Sequence, residues 1–192
     1  MDVSTPMAVL VTAVVGYLIG SIPVADLVTR RRSAIDLRDV GDHNPGYWNA
    51  KETLGRRAAL PIFVGDVAKG AGAALVGVAL APPGVWGMAY VGAGAAMVGH
   101  AWPLFARFRG GRSVLTFVGG AIVCAPVPSL VAIGVLLVVF AVTRSFARGA
   151  QAGIVALPVA QLVIEGPYRT AATGVLMTFI GFRFLTARSI EA

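Results

Sequence analysis

Between two long apolar runs the chain carries the polar stretch Asp36-Leu37-Arg38-Asp39-Val40-Gly41-Asp42-His43-Asn44-Pro45-Gly46-Tyr47-Trp48-Asn49. Glycine and asparagine tolerate positive φ and proline fixes a turn, so successive backbone N–H groups here can converge on an anion. Arg38 and Lys51 flank the stretch. The alternative is a polar turn whose arginines only set topology. His43 lies inside it and is a candidate base.

A second stretch reads Gly99-His100-Ala101-Trp102-Pro103-Leu104-Phe105-Ala106-Arg107-Phe108-Arg109-Gly110-Gly111-Arg112-Ser113. It sets three arginines and a glycine pair just before an expected helix start, where free N–H groups can seat a phosphate. A topology-fixing basic turn is again the alternative. The P-loop pattern is absent. Asp66 and Lys69 lie three apart inside an apolar run, on one helical face. Ionisable groups there are costly, so they read either as a self-neutralising pair or as a lysine aimed at a phosphate and held by its aspartate. Asp26 and Glu165 fall near the ends of apolar runs and are expected to be solvated. His43 and His100, with no acidic cluster, make no metal site, and no cofactor is expected.

These residues must be positioned by apolar helices. Hydrophobic residues make up 57% of the 192, before 24 glycines are counted, and charged residues only 13%. A soluble domain needs more polar surface, and disorder or a coiled coil needs more charge. The expected fold is an all-α integral membrane protein, a single polytopic domain over residues 1–192. A span needs about 20 apolar residues, and candidates run near 7–29, 58–80, 85–105, 113–125, 128–143, 149–165 and 168–186, the fourth too short to cross alone without thinning the bilayer. Met1 to Pro6 holds no basic residue, so the first run is expected to persist rather than serve as a cleaved signal.

A single kinked helix from 113 to 143 would reduce the seven spans to six. The basic residues argue against it. With seven transmembrane helices, the N-terminus outside and the C-terminus cytoplasmic, fourteen of the sixteen Lys and Arg fall on inner loops or their helix ends. The net charge of +7 is thereby explained by topology, and no nucleic-acid partner is expected. Gly16/Gly20, Gly70/Ala74 and Gly92/Ala96 are small-xxx-small pairs suited to close helix packing. Cys124, the lone cysteine, is expected to be a buried apolar residue.

The stretch from Gly20-Ser21-Ile22-Pro23 through Asp36-Leu37-Arg38, Asn44, Gly46 and Asn49, then Asp66, Lys69-Gly70, Gly99-His100, Pro103, Gly110-Gly111 and Thr116, resembles the PlsY family of bacterial acyl-phosphate:glycerol-3-phosphate acyltransferases. The match extends over about residues 20 to 120. The resemblance implies a PlsY-like fold in the bacterial cytoplasmic membrane, with the active-site loops on the cytoplasmic side and membrane lipids around it. It implies acyl phosphate and glycerol 3-phosphate as substrates and lysophosphatidate as product. An acyl phosphate is already activated for attack, so no protein nucleophile is required, and positioning and charge would supply most of the catalysis.

On this reading Gly41, Asn44, Gly46 and Asn49 shape one phosphate seat, with Arg38 its nearest fixed charge. Arg109, Gly110, Gly111, Arg112 and Ser113 form another, with His100 orienting a neighbouring loop, and Asp66 and Lys69 are counted among the phosphate-binding residues. His43, Asn44 and Arg112 are the candidates for direct action on the reacting groups. The sequence departs from the family pattern at Asp42, His43, Trp48, Glu52 and Ser113, after Arg144, and at its C-terminal end. Two other readings stand beside the enzyme. One is a non-catalytic paralogue that binds lipid precursors or a partner enzyme; the other is a transporter resting on Asp66 and Lys69.

Overall fold

The computed structural model describes residues 4–32 and 35–188, without the side chains of Ser4, Arg30 to Arg32, Ala187 and Arg188. The described residues form helices joined by loops, with no strand among them, and the long helices fall on the apolar runs. They are α1 (Ser4–Gly20), α2 (Val24–Arg32), α3 (Tyr47–Leu54), α4 (Arg56–Leu80), α5 (Gly87–Ala101), α6 (Val114–Cys124), α7 (Pro126–Thr143), α8 (Phe146–Glu165) and α9 (Pro167–Arg188). Four segments are long and apolar enough to cross a membrane: Thr5–Thr29, which joins α1 and α2, together with α4, α7 and α8. The helix α6 is a shorter apolar piece. Leu130, Val138, Val155, Val163 and Val175 stand exposed on the outer faces of α7, α8 and α9. Apolar surface on that scale is what lipid covers.

Small residues set the packing, as the pairs in the sequence anticipate. A Cβ on Gly16 or Gly20 of α1 would meet the α5 backbone at Gly92 or Ala96. One on Gly92 would meet the Ala73 carbonyl of α4, and one on Gly70 the Thr116 carbonyl of α6. Backbones that approach this closely gain dispersion contact which a lipid-solvated bundle cannot obtain from hydrophobicity. A larger core of Ala74, Ala93, Met97, Phe117, Cys124, Leu157 and Leu176 ties α4 to α9. A smaller one, Ala25, Leu37, Ala50, Ala59 and Ile62, sits under the first polar loop.

Contacts between distant segments define two ends. Trp48 of α3 stacks on Phe146 at the start of α8, at 5.9 Å. Arg183, near the end of α9, points its guanidinium at the Gly111 carbonyl. Those residues mark the loop end. At the far end, Tyr90 of α5 accepts from Gln161 of α8 (2.7 Å) and Thr173 of α9 (3.5 Å). Ala125 leaves helical geometry and Pro126 opens α7, so 113–143 is two helices and not one kinked helix.

Candidate functional site

The first loop is folded around Asn49. Its buried amide NH2 lies within hydrogen-bond distance of the carbonyls of Leu37 (2.8 Å), Val40 (2.8 Å) and Asn44 (3.2 Å), while its Oδ1 accepts from Thr53. Gly41 holds φ +62, and a Cβ there would strike Asn49 Oδ1. Gly46 caps α3 in extended geometry, where a Cβ would stand 2.7 Å from Asn44 Nδ2. Gly41 is therefore required by its positive φ and by close approach to Asn49, which is the pin of the loop. The Asp42 carboxylate accepts from Asn44 N–H at 3.2 Å, a local turn bond. His43 has φ 56 and an exposed ring, with Nδ1 2.9 Å from the Arg38 carbonyl. With the proton on Nδ1 facing that oxygen, Nε2 is left as an acceptor.

Arg38 spends its whole fork inside the protein. Nη1 and Nη2 grip the Asp26 carboxylate at 2.9 and 3.1 Å, Nη1 also reaches Asp36 at 2.9 Å, and Nε and Nη2 donate to the Arg109 carbonyl at 2.9 and 2.6 Å. It is a clamp that joins the two loops. Burial works against both charges, yet the bonds between them win. Hydrogen bonds from the Arg38 backbone and guanidinium hold the Asp36 carboxyl below its ordinary value. The bonds to Asp26 and Asp36 raise Arg38 above its own.

A second link runs between the loops through Arg112, whose Nη1 donates to Asp42 at 2.7 Å while its guanidinium lies 4.8 Å over the Phe184 ring. The Gly110 and Gly111 N–H groups donate to the carbonyls of Ala101 (3.2 Å) and His100 (3.1 Å), which fold the turn back on the end of α5. A Cβ on Gly111 would stand 2.5 Å from His100 Nε2 and 3.1 Å from Asn44 Oδ1. Ser113 sits at φ 65 as the residue before α6, and its hydroxyl donates to the Met97 carbonyl at 2.8 Å. Its donor is thus turned into the bundle. Arg109 is exposed, its N–H donating to the Ala106 carbonyl at 3.1 Å and its own carbonyl accepting from Arg38.

Beneath both loops Lys69 Nζ lies 2.9 Å from Asp66 and donates to the Ile22 carbonyl at 3.3 Å. That carbonyl lies in the break between α1 and α2, where it also accepts from the Val24 N–H at 3.0 Å. The pair is 5% and 3% exposed, and His100 Nδ1 approaches the same carboxylate at 3.5 Å. Arg38, Asp66, Lys69, His100, Gly110 and Gly111 line one small cavity of about 20 Å³, room for a water. His43, Asn49, Arg109, Arg112 and Ser113 are not among its lining residues. Among the described residues no three His, Cys, Asp or Glu side chains gather to hold a metal.

Two acids expected to be solvated are not. Asp26 is 18% exposed and is the bidentate partner of Arg38. Glu165 is 13% exposed, accepts from Gln161 at 2.9 Å and faces Arg169. Position near a span end signals access to water only when no cation is folded over the carboxylate, and here one is. Sequence reasoning also passed over Arg183, read there as a topology residue. Its nearness to Gly111 arises from tertiary packing of α9, which no local spacing reveals.

The departures from the family pattern have partners in the structure. Asp42 takes Arg112, and Glu52 takes Lys51 at 3.0 Å. Trp48 stacks on Phe146 and carries the Lys51 ammonium 3.7 Å above its ring. The family model described as glycerol-3-phosphate acyltransferase matches residues 10–189. Glycerol-3-phosphate acyltransferase 5 of Dehalococcoides mccartyi is 38% identical over 176 residues, covering 89% of this chain and 74% of that one. A glycerol-3-phosphate acyltransferase of Clostridioides difficile is 33% identical, with 81% and 78% covered. The crystal structure of PlsY in its glycerol 3-phosphate form superposes with a TM-score of 0.80 at 25% identity, covering 94% of this chain and 90% of that one. With a family model matched over residues 10–189, relatives above 30% identity and a shared fold, the chain is an integral membrane member of the glycerol-3-phosphate acyltransferase (PlsY) family.

Proposed function

We propose that the protein transfers a fatty acyl group from acyl phosphate to glycerol 3-phosphate, giving lysophosphatidate for phospholipid synthesis. One observation carries the reading: a polar loop and an arginine-rich loop are cross-linked by Arg38 and Arg112 around a glycine turn with no room for a side chain. Such a turn lets backbone and substrate approach closely, and its cations favour phosphate. The acceptor oxygen attacks the acyl carbonyl, the carbonyl–phosphate bond breaks, and the hydroxyl proton passes to a phosphate oxygen. Preorganised charge and placement supply the rate. His43 Nε2, Asn44 and Arg112 are the groups offered to the reacting atoms. Asp66, Lys69 and His100 support the Gly110–Gly111 turn from below. The named relatives support an enzyme over a non-catalytic paralogue.

In the same reading the chain is one polytopic domain of the bacterial cytoplasmic membrane with seven spans. Its arginine-rich loop end faces the cytoplasm, because basic residues collect at that end. Acyl transfer from palmitoyl phosphate to radiolabelled glycerol 3-phosphate by purified protein is the direct test. Lysophosphatidate above an empty-membrane control is the expected result, and its absence overturns the assignment. Complementation of an acyltransferase-deficient strain tests the same claim in cells.

A further inference from the structure

Charge accounting at the loop end leaves a gap. Arg38 is matched by two carboxylates, Arg112 by Asp42, and Lys69 by Asp66. The cations that hold the loops together thus each have a carboxylate partner in the protein, which weakens their pull on an arriving phosphate dianion. Arg107 and Arg109 are exposed on the loop surface, where solvent screens them.

One further cation reaches the glycine turn. Arg183 directs Nε and Nη2 at the Gly111 carbonyl, both at 3.4 Å, and has no carboxylate partner among the described residues. Its guanidinium lies 4.8 Å over the Trp102 ring, which is itself packed edge-on against Phe179, one turn earlier in α9. Tyr17 Oη donates to the Trp102 carbonyl at 2.9 Å, so α1, the end of α5 and α9 all fix this arginine. Arg112 packs on Phe184, the next residue, and its buried Nε has no hydrogen-bond partner. Two guanidinium groups therefore converge on one turn, one without a counter-charge and the other with a donor unspent. An anion bound between them would relieve both.

We propose that Arg183 is a phosphate-binding residue and supplies the uncompensated charge of the Gly110–Gly111–Arg112 seat. The inference rests on the acyl-transfer reading and refines it. The ligand is a phosphate monoester or acyl phosphate dianion, and separate kinetic arms tell which. In purified enzyme, Arg183→Gln raises the KM of one substrate about 10- to 100-fold while kcat changes far less, the expected loss of a charged hydrogen bond made before the chemistry. The KM that moves, for glycerol 3-phosphate or for palmitoyl phosphate, identifies the phosphate held. Arg183→Lys keeps the charge without the fork and gives a smaller rise in the same KM; it also carries the test if Arg183→Gln does not fold. Unchanged KM values in a folded variant overturn the proposal. So does a fall in kcat and thermal stability with both KM values kept, which is what a mere tether on Gly111 would give. If wild type transfers no acyl group, inorganic phosphate is the probe. A phosphate-dependent rise in Tm that is lost in Arg183→Gln upholds the seat, and equal rises overturn it.

Discussion

At the loop end, Asp66, Lys69 and Arg38 bury charges beside each other and beside His100. At the far end, Tyr90, Gln161 and Thr173 bury neutral hydrogen-bonding groups, and only the partly exposed Glu165 and Arg169 carry charge. Backbone conformation divides in the same way. All five described non-glycine residues with positive φ (His43, Arg107, Phe108, Ser113 and Arg144) lie in loop-end turns. Left-handed backbone and desolvated charge both cost free energy. Their concentration at one end is what a binding site requires, whereas the far end needs only to hold α5, α8 and α9 together. Perturbing the loop end should therefore change chemistry and stability, and perturbing the far end stability alone.

The largest effect is expected at Asp66 and Lys69. Asp66→Asn or Lys69→Met alone leaves a charge uncompensated in low dielectric and costs about 3–5 kcal/mol. The double variant is milder than the sum, since neither charge remains. Acyl transfer stays low in it, because Lys69 no longer holds the Ile22 carbonyl at the cavity wall. Tm in detergent and transfer rate on the three variants check this. Losses that simply add would show that the pair is not coupled, and a stable, fully active double variant would remove it from the site.

Gly111→Ala comes next. The added methyl must displace His100 Nε2 or Asn44 Oδ1, a crowding worth about 1–3 kcal/mol, and transfer is expected to fall with it. Gly72 is the control, since nothing lies within 4 Å of a Cβ there. Gly72→Ala should leave Tm and transfer near wild type. Equal behaviour of the two variants would mean that the turn does not depend on its close approach.

What the sequence made legible, and what it did not, follows the same division. The apolar helices were readable because length and apolarity in lipid are nearly one-dimensional requirements. The small-residue pairs at Gly16/Gly20, Gly70 and Gly92 pointed to faces that do meet. Among the loop residues Gly41, at φ +62, carries the chemical signature of a left-handed turn, whereas His43, Arg107, Phe108 and Ser113 take positive φ with no such mark in the sequence. The partners of the charges were not readable. Asp26 and Arg38, Asp42 and Arg112, and Arg183 and Gly111 are joined across 12, 70 and 72 positions. Pairing at that range depends on how helices pack, and a solvated acid and a clamped one look alike in a string of letters.

At the far end, Tyr90→Phe removes the hydroxyl that accepts from Gln161 and Thr173. Gln161 keeps Glu165 as an acceptor, so the cost should be about 1 kcal/mol, in line with side-chain hydrogen bonds between membrane helices. Thermal unfolding in detergent reads it. Transfer measured well below Tm is expected to match wild type. A KM or kcat change would erase the distinction between the two ends.

The smallest effect is expected at Asp36, where the sign is set by proton linkage. Its carboxyl is held below the ordinary value by Arg38, so the folded state binds its proton less readily than the unfolded chain. The stability this contributes is present above the ordinary carboxylate range, about 3.9, and is lost as pH falls through the lower folded value. The side chain is 44% exposed, and Arg38 keeps Asp26 when Asp36 is protonated. Solvent screening therefore limits the contribution to under about 1 kcal/mol. Asp36→Asn should melt slightly below wild type at pH 6, and the gap should close as both are taken to about pH 3. A gap that persists in acid would mean that Asp36 serves through the shape of the turn, with its Oδ1 accepting from the Arg38 N–H at 2.9 Å, and not through its charge. The clamp would then rest electrostatically on Asp26 alone, and the loop-end charge that matters would be the buried one.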